Sequence, residues 1–381
     1  MEKTSALALR GFAAAFLLLF PIAESQSQNV FSALPQSVKD PADNPLSADK
    51  VALGKLLFWD PILSGNKDVA CASCHHPSAG YAEDRDVSIG VNGIGLGERR
   101  RFGSPNAIPF VKRNSPTILN VGFVGLDKTG QHNPATAPMF WDMRVKGLEA
   151  QALEPIKSHE EMRGNTYGED KAVEEVVARL NAIPEYRAQF AKAFGPTNAV
   201  SPINLAKAIS AFERSLLANN SPFDRYMRGD RNAMTRAQIE GMRRFERVGC
   251  AECHNGPMFS DYKPHVLGVP DNRRLPESDS GIKATPYAFR TASLRNLAFT
   301  APYMHSGVFE TLEEVLDFYD DAPENPNVGR RQVDPLVRRL DDPDDEAQAI
   351  IEFLNALNDN LFDKTIPSSV PSGLTPGGRI Q

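Results

Sequence analysis

Only four cysteines and two tryptophans occur in 381 residues, so a disulfide-stapled scaffold is excluded. No excess of basic charge is present either. Forty-two Lys and Arg stand against 48 Asp and Glu, a net charge of -6, which argues against a nucleic-acid binder. After the first two dozen residues no apolar run approaches the roughly 20 residues that span a bilayer as a helix. The alternation typical of strands is also missing, which leaves a mainly α-helical chain. Apolar residues at 41% and charged residues at 24% are the composition of a folded, water-exposed protein, and the length suggests two domains.

The N-terminus has the form of a secretory signal. Lys3 and Arg10 precede the apolar stretch Gly11 to Ala23, and small residues follow at Ala23 and Ser25. We expect a signal peptide over residues 1–25 and export to the periplasm, an uncleaved anchor helix being the alternative. Residues 26–46 form a Pro- and Asn-rich lead-in. Ser47 then caps a helix whose buried stripe is Val51, Leu53, Leu56 and Leu57. Residues 70–119 carry many turn signals and suggest an ordered loop around a site. Helical patterns return at 148–153, 170–182 (Val173, Val176, Val177 and Leu180 inward) and 184–194. The Gly195–Pro196 break divides a first domain, 47–195, from a second, 196–365. Ser201–Pro202 opens the next helix. Thr235 with Gln238, and Thr311 with Glu314, form capping boxes for two more, and 346–359 closes the fold. The Pro-, Ser- and Gly-rich tail 366–381 suggests disorder.

All four cysteines lie in two CxxC pairs, each followed at once by histidine: Cys71, Cys74, His75 and Cys250, Cys253, His254. Two sulfurs on one helical turn match the two vinyl groups of a porphyrin, and the next residue can ligate its iron. This is the c-type haem attachment pattern, so two covalent haems are expected, one per domain. A thioredoxin-like pair needs no following histidine. A four-cysteine zinc site keeps its pairs about 15–20 residues apart. Disulfides rarely form at this spacing. Haem number leaves function open: an iron with two strong ligands passes electrons, whereas one with a vacant face activates peroxide or oxygen.

Several strings resemble the bacterial di-haem cytochrome c peroxidases and their MauG-type relatives of methylamine utilisation. They are GKLLFWDPILSGNKDVACASCHHP, RNSPTILN, FWDMRVKGLEAQALEPI, FERVGCAECHNGPMFSD, LRNLAFTAPYMHSGVFETLEEVLDFY and EAQAIIEFLNALND, in family order from Pro45 to Asp359. The resemblance implies two cytochrome c-like domains with long ordered loops, a peroxidatic first haem and an electron-transferring second. It places Trp141 between the haems as a relay, and Gln151 and Glu161 on the open face of the first. It also implies a calcium ion held by Asn114 and the carbonyls of Thr300 and Pro302. Where classical members carry a displaceable histidine this chain has Val91, which cannot ligate iron. Where they place a methionine on the second haem it has Tyr319, as MauG-type enzymes do. The tryptophan that those enzymes carry two residues before the second motif is Val248 here.

Taken singly, Glu161 suits proton transfer to peroxide if its carboxyl is partly buried, with Glu160 its neighbour in register. Gln151 offers a hydrogen bond. Trp59 is expected in the core. Met304 rivals Tyr319 as a ligand. His305 suits a hydrogen-bonding role near the interface, His76 is expected to be exposed, and Arg99–Arg101 is expected as a solvated loop or a docking patch. The expected function is reduction of hydrogen peroxide with electrons from a small cytochrome c or cupredoxin. Oxidation of side chains on a partner protein, and a non-enzymatic electron carrier, are the alternatives.

Overall fold

The computed structural model describes residues 30–381; the signal-like segment lies outside them. Among the described residues there are ten α-helices: α1 (Ala48–Trp59), α2 (Leu148–Gln151), α3 (Glu154–Lys157), α4 (Ala172–Ala182), α5 (Pro184–Phe194), α6 (Pro202–Ser215), α7 (Pro222–Met227), α8 (Arg236–Arg247), α9 (Leu312–Asp321) and α10 (Ala347–Asn355). The sheet content is four two-stranded ribbons. The rest is turns, 3₁₀ segments and one π-helical turn, so the helical expectation holds. No described helix is long and apolar enough to cross a membrane.

The helix starts follow local chemistry. Ser47, Ser201, Thr235 and Thr311 accept hydrogen bonds from the first-turn amides of α1, α6, α8 and α9, and the last two complete capping boxes. Leu53 and Leu57 are buried as expected, while Val51 and Leu56 are only partly covered. Phe58 and Trp59 extend the stripe into the core.

Each half is built on one close helix crossing. Gly54 of α1 lies so near α6 that a Cβ there would sit 1.9 Å from the Ala208 carbonyl oxygen. Gly241 of α8 meets α10 in the same way, 1.9 Å from the Ala349 carbonyl oxygen. The first crossing belongs to a core with Leu53, Leu57, Leu205, Ala208 and Ile209, joined by Val176, Leu180, Tyr186 and Phe190. The second sits in an aromatic core of Phe31, Phe223, Phe245, Phe259 and Phe353.

Three segments pack in ways that composition did not indicate. Helix α6 lies beyond the Gly195–Pro196 break, yet its Leu205, Ala208 and Ile209 pack into the first core. The lead-in is partly second-half structure: Phe31 stacks on Phe259 with centroids 5.2 Å apart, and the Leu34 amide donates to Asp224 at 2.9 Å. The tail 366–381, expected to be disordered, is bound to the first half. Ser372 Oγ donates to Asp60 at 2.7 Å, the Gly377 amide to the Trp59 carbonyl at 2.7 Å, and the Arg379 amide to the Asp68 carbonyl at 3.0 Å. Ser73, inside the first CxxC, donates to the Gly377 carbonyl at 2.9 Å.

Candidate functional site

The two histidine motifs fold alike. Each CxxC starts a single 3₁₀ turn, Cys71–Ser73 and Cys250–Glu252. The amides of His75 and His254 each bond back to the first cysteine's carbonyl at 2.9 Å. In both rings Nδ1 meets a backbone carbonyl, Tyr81 at 3.1 Å and Phe259 at 2.9 Å. That bond fixes the tautomer and ring direction and leaves Nε2 for a metal. Burial lowers His75 to about 4 and also lowers His254, so both imidazoles are neutral, the form that binds iron. The four cysteines are unbridged, and burial raises the thiols of Cys71 and Cys250 to about 12.

Both histidines line one cavity of about 330 Å³. The residues suit a haem at each motif: two sulfurs on one turn, an oriented neutral imidazole and apolar walls. Gln151 and Trp141 also line this cavity. Trp141 is fixed by its indole N–H, which donates to the Asn114 carbonyl at 3.0 Å. Its ring meets His305 edge-on at 6.4 Å, and His305 stacks on Phe289 at 3.5 Å. Burial holds His305 down to about 4, so it serves the aromatic stack as a neutral ring. His76 is not fully exposed; its ring meets Trp59 at 5.7 Å.

Glu161 does not line the cavity, but its side chain is part-buried and close enough to act on both Cys71 and Cys74. It sits on a π-helical turn, His159–Arg163, capped by Ser158. Burial raises it to about 7; Arg144 opposes the rise and Glu160 adds to it. Glu160 instead accepts from the Ser158 hydroxyl at 3.2 Å. The turn is held from both sides, by the Gly65 amide on the Met162 carbonyl (2.7 Å) and the Val91 amide on the Glu161 carbonyl (2.9 Å). Val91 itself is fully buried.

On the second motif's side, Tyr319 and Met304 both line the cavity and share one apolar cluster. Burial raises the Tyr319 hydroxyl, and the two cysteines of that motif raise it further. Asn114, Thr300 and Pro302 lie on the same cavity wall. The Asn114 amide nitrogen donates to the Arg85 and Asp86 carbonyls at 3.1 and 3.3 Å, which turns its oxygen the other way, the hard donor that calcium takes.

Glu213, Glu83 and His265 were not singled out from the sequence, and Arg100, expected with Arg99 and Arg101 in a solvated loop or docking patch, is instead buried. Glu213 faces the cavity beside Cys71, and burial raises it to about 8. Its signal was visible, since it continues the buried i, i+4 row of Leu205 and Ile209. Glu83 and Arg100 are buried in the loop after the first motif. His265, near Cys253, lies between Asp261 (3.1 Å) and Asp334 (2.8 Å); these contacts, Asp261 foremost, push it up to about 11. Cys253, Asp261 and His265 are the one group of metal-competent donors among the described residues. The cysteine pairs form no joint zinc site.

The family model of di-haem cytochrome c peroxidases matches residues 48–232. Over 354 residues the chain is 34% identical to cytochrome-c peroxidase IdrP1 of Pseudomonas sp. (strain SCT), covering 84% of this chain and 83% of that one. Over 337 residues it is 32% identical to the methylamine utilization protein MauG of Methylorubrum extorquens, covering 87% and 85%. Among solved structures, a MauG-like protein associated with microbial copper homeostasis superposes with a TM-score of 0.68 at 29% identity, covering 86% of this chain and 95% of that one.

Proposed function

This chain belongs to the di-haem cytochrome c peroxidase family, a family of oxidoreductases, and from that premise we propose that it is a periplasmic enzyme reducing hydrogen peroxide to water. Two c-type haems would be held covalently, one by Cys71 and Cys74 with His75 as iron ligand, the other by Cys250 and Cys253 with His254. Haem iron supplies the redox chemistry; the chain supplies position, protons and a path between the two centres. The observation that carries this reading is the asymmetry between the two motifs. A part-buried carboxyl poised near neutrality stands by the first, while Tyr319 and Met304 line the cavity at the second.

Glu161 takes a proton from one peroxide oxygen and returns it to the other as the bond between them breaks. A carboxyl at about 7 populates both of the forms this requires. Gln151 orients the bound peroxide by hydrogen bonding. Trp141, pinned on Asn114, would relay electrons supplied by a small cytochrome c or cupredoxin. Calcium on Asn114, Thr300 and Pro302 would brace that relay, because Asn114 holds the indole and ligates the ion at once. Tyr319 is our first choice as the second ligand at the His254 centre, and Met304 the other.

Buried Val91 and the placing of Tyr319 favour a second reading, MauG-type oxidation of side chains on a partner protein. Val248 weighs against it, because a buried valine cannot carry an electron hole to the surface. An electron carrier without enzyme activity has no support in a peroxidase family.

Electron paramagnetic resonance of the ferric protein before and after one equivalent of peroxide is the test. We expect one high-spin and one low-spin centre, with the high-spin signal lost on oxidation and turnover sustained by reduced cytochrome c. Two low-spin centres inert to peroxide would end this reading.

A further inference from the structure

A buried carboxyl with neither oxygen paired is costly, and each such group in a folded protein needs a cause. Glu83 is 2% exposed; the Ser88 hydroxyl and the Cys74 thiol lie against its carboxyl, but neither oxygen completes a hydrogen bond of good geometry. The charged and titratable groups facing it are Arg85, Arg100 and Cys74. Both guanidinium groups are engaged elsewhere. Arg100 donates to the carbonyls of Ile89 (2.5 Å), Gly95 (2.8 Å) and Gly90 (3.0 Å). Arg85 donates to those of Val87 (2.7 Å) and Arg100 (2.6 Å).

The position of Glu83 explains what its pairing does not. On one side it borders a surface cleft of about 250 Å³, with His76, Asp84 and Glu98 in the walls. On the other it acts on Cys74, as Glu161 does. The loop that Arg100 holds joins the two acids. Gly90 packs against Glu161 so tightly that a Cβ would lie 2.2 Å from the Glu161 carbonyl oxygen. The second motif has nothing equivalent: Asp261, the carboxylate by Cys253, is already paired with His265 and Thr291.

We infer that Glu83 is the group through which protons enter the first site, taking them from water in the cleft and passing them inward towards Glu161. This rests on the peroxide-reducing reading, in which each peroxide consumes two protons from water and two electrons from the donor. Only the O–H bond of Glu83 is remade: a proton leaves inward, another arrives from the cleft, and the carboxyl ends each cycle unchanged. Burial raises this carboxyl to about 7, which suits a group that must both hold and release a proton. An electron-transferring second site needs no such acid, and among the described residues no unpaired buried carboxylate lies beside Cys250 or Cys253.

The test uses the haem-loaded protein with Glu83→Gln and Glu83→Asp, peroxide, and reduced cytochrome c, in water and in deuterium oxide. Glu83→Gln keeps haem content and the ferric spectrum, slows turnover by at least about tenfold and enlarges the solvent isotope effect. Added formate, small enough for the cleft, restores part of the rate, and Glu83→Asp falls between the two. Independently of turnover, the infrared difference between about pH 6 and about pH 8 loses one protonated-carboxyl band in Glu83→Gln. Wild-type rate and isotope effect in Glu83→Gln would overturn the inference alone, since a merely structural carboxyl also tolerates glutamine. Absence of peroxide turnover in the wild type would overturn the proposed function and this role with it. If Glu83→Gln fails to take up haem, Glu83→Asp decides: a slowed, isotope-sensitive rate supports the role and an unchanged one refutes it.

Discussion

Replacing Glu161 by glutamine keeps the shape and the hydrogen-bonding capacity of the side chain but removes the proton it can move. In the folded protein this carboxyl is raised from its ordinary 4.5 to about 7, chiefly by burial. At about pH 7 it is therefore roughly half ionised, and at about pH 6 roughly a tenth. If the ionised form takes the first peroxide proton, the bimolecular rate of the ferric protein with peroxide rises about tenfold per pH unit below 7 and levels above it. A positioned general acid–base contributes about 10²–10⁴-fold, equivalent to about 2.7–5.5 kcal/mol of barrier. Glu161→Gln is expected to lose that factor and also the dependence on pH. Stopped-flow absorbance of the haem-loaded protein measures both, with haem content and the resting spectrum as controls. An unchanged rate removes Glu161 from the mechanism. A slowed rate that keeps the wild-type pH profile assigns the titration to another group and leaves Glu161 a steric role.

Glu83, Glu161 and Glu213 are all held above the ordinary glutamate value by burial. The folded state therefore holds protons that the unfolded chain releases. Stability is full below about pH 4.5 as far as these groups are concerned, and declines as pH rises towards their folded values of about 7 to 8. Thermal unfolding across that range is expected to show a falling midpoint, with a shallower slope in Glu213→Gln; a flat profile refutes the buried-acid assignment. Tyr319→Phe is expected to change the ferric spectrum of one haem only, and if both spectra stay as they were, Met304 is the residue to replace next. Gly241→Ala places a methyl 1.9 Å from a backbone oxygen that cannot move aside. The overpacking cost of about 1–3 kcal/mol exceeds the roughly 1 kcal/mol gained in helix propensity, so chemical denaturation is expected to show a net loss. A stabilised variant would contradict that helix crossing.

What was legible in the sequence is what short stretches of chain decide. A histidine after CxxC, a serine or threonine cap and a turn before Pro202 each act within a few residues, and all appear where expected. Trp59 also entered the core as expected, being the end of an apolar stripe. Glu83 and Arg100 were not legible, because nothing near them in the chain marks a charged loop residue for burial. Their enclosure depends on how residues 83–100 fold back over Cys74 and beneath Glu161, a matter of contacts and not of pattern.

The Gly195–Pro196 turn and the tail pose one ambiguity that composition does not resolve. Gly195–Pro196 signals a turn, but a turn between two packed helices and a turn between two domains have the same composition. Only the partner chosen by the next helix separates them, and α6 chooses α1 because Gly54 leaves room for its backbone. The tail poses the same ambiguity. Proline, serine and glycine suit a chain with nothing to bury, yet they also suit a strap that must lie very close to another backbone. Gly378 shows which applies: it has a positive φ of 73°, and a Cβ there would sit 2.3 Å from the Asp68 carbonyl oxygen. The glycine that looked like a mark of disorder is the residue that lets the tail lie flat against the first motif, where the Gly377 carbonyl accepts a hydrogen bond from the Ser73 hydroxyl.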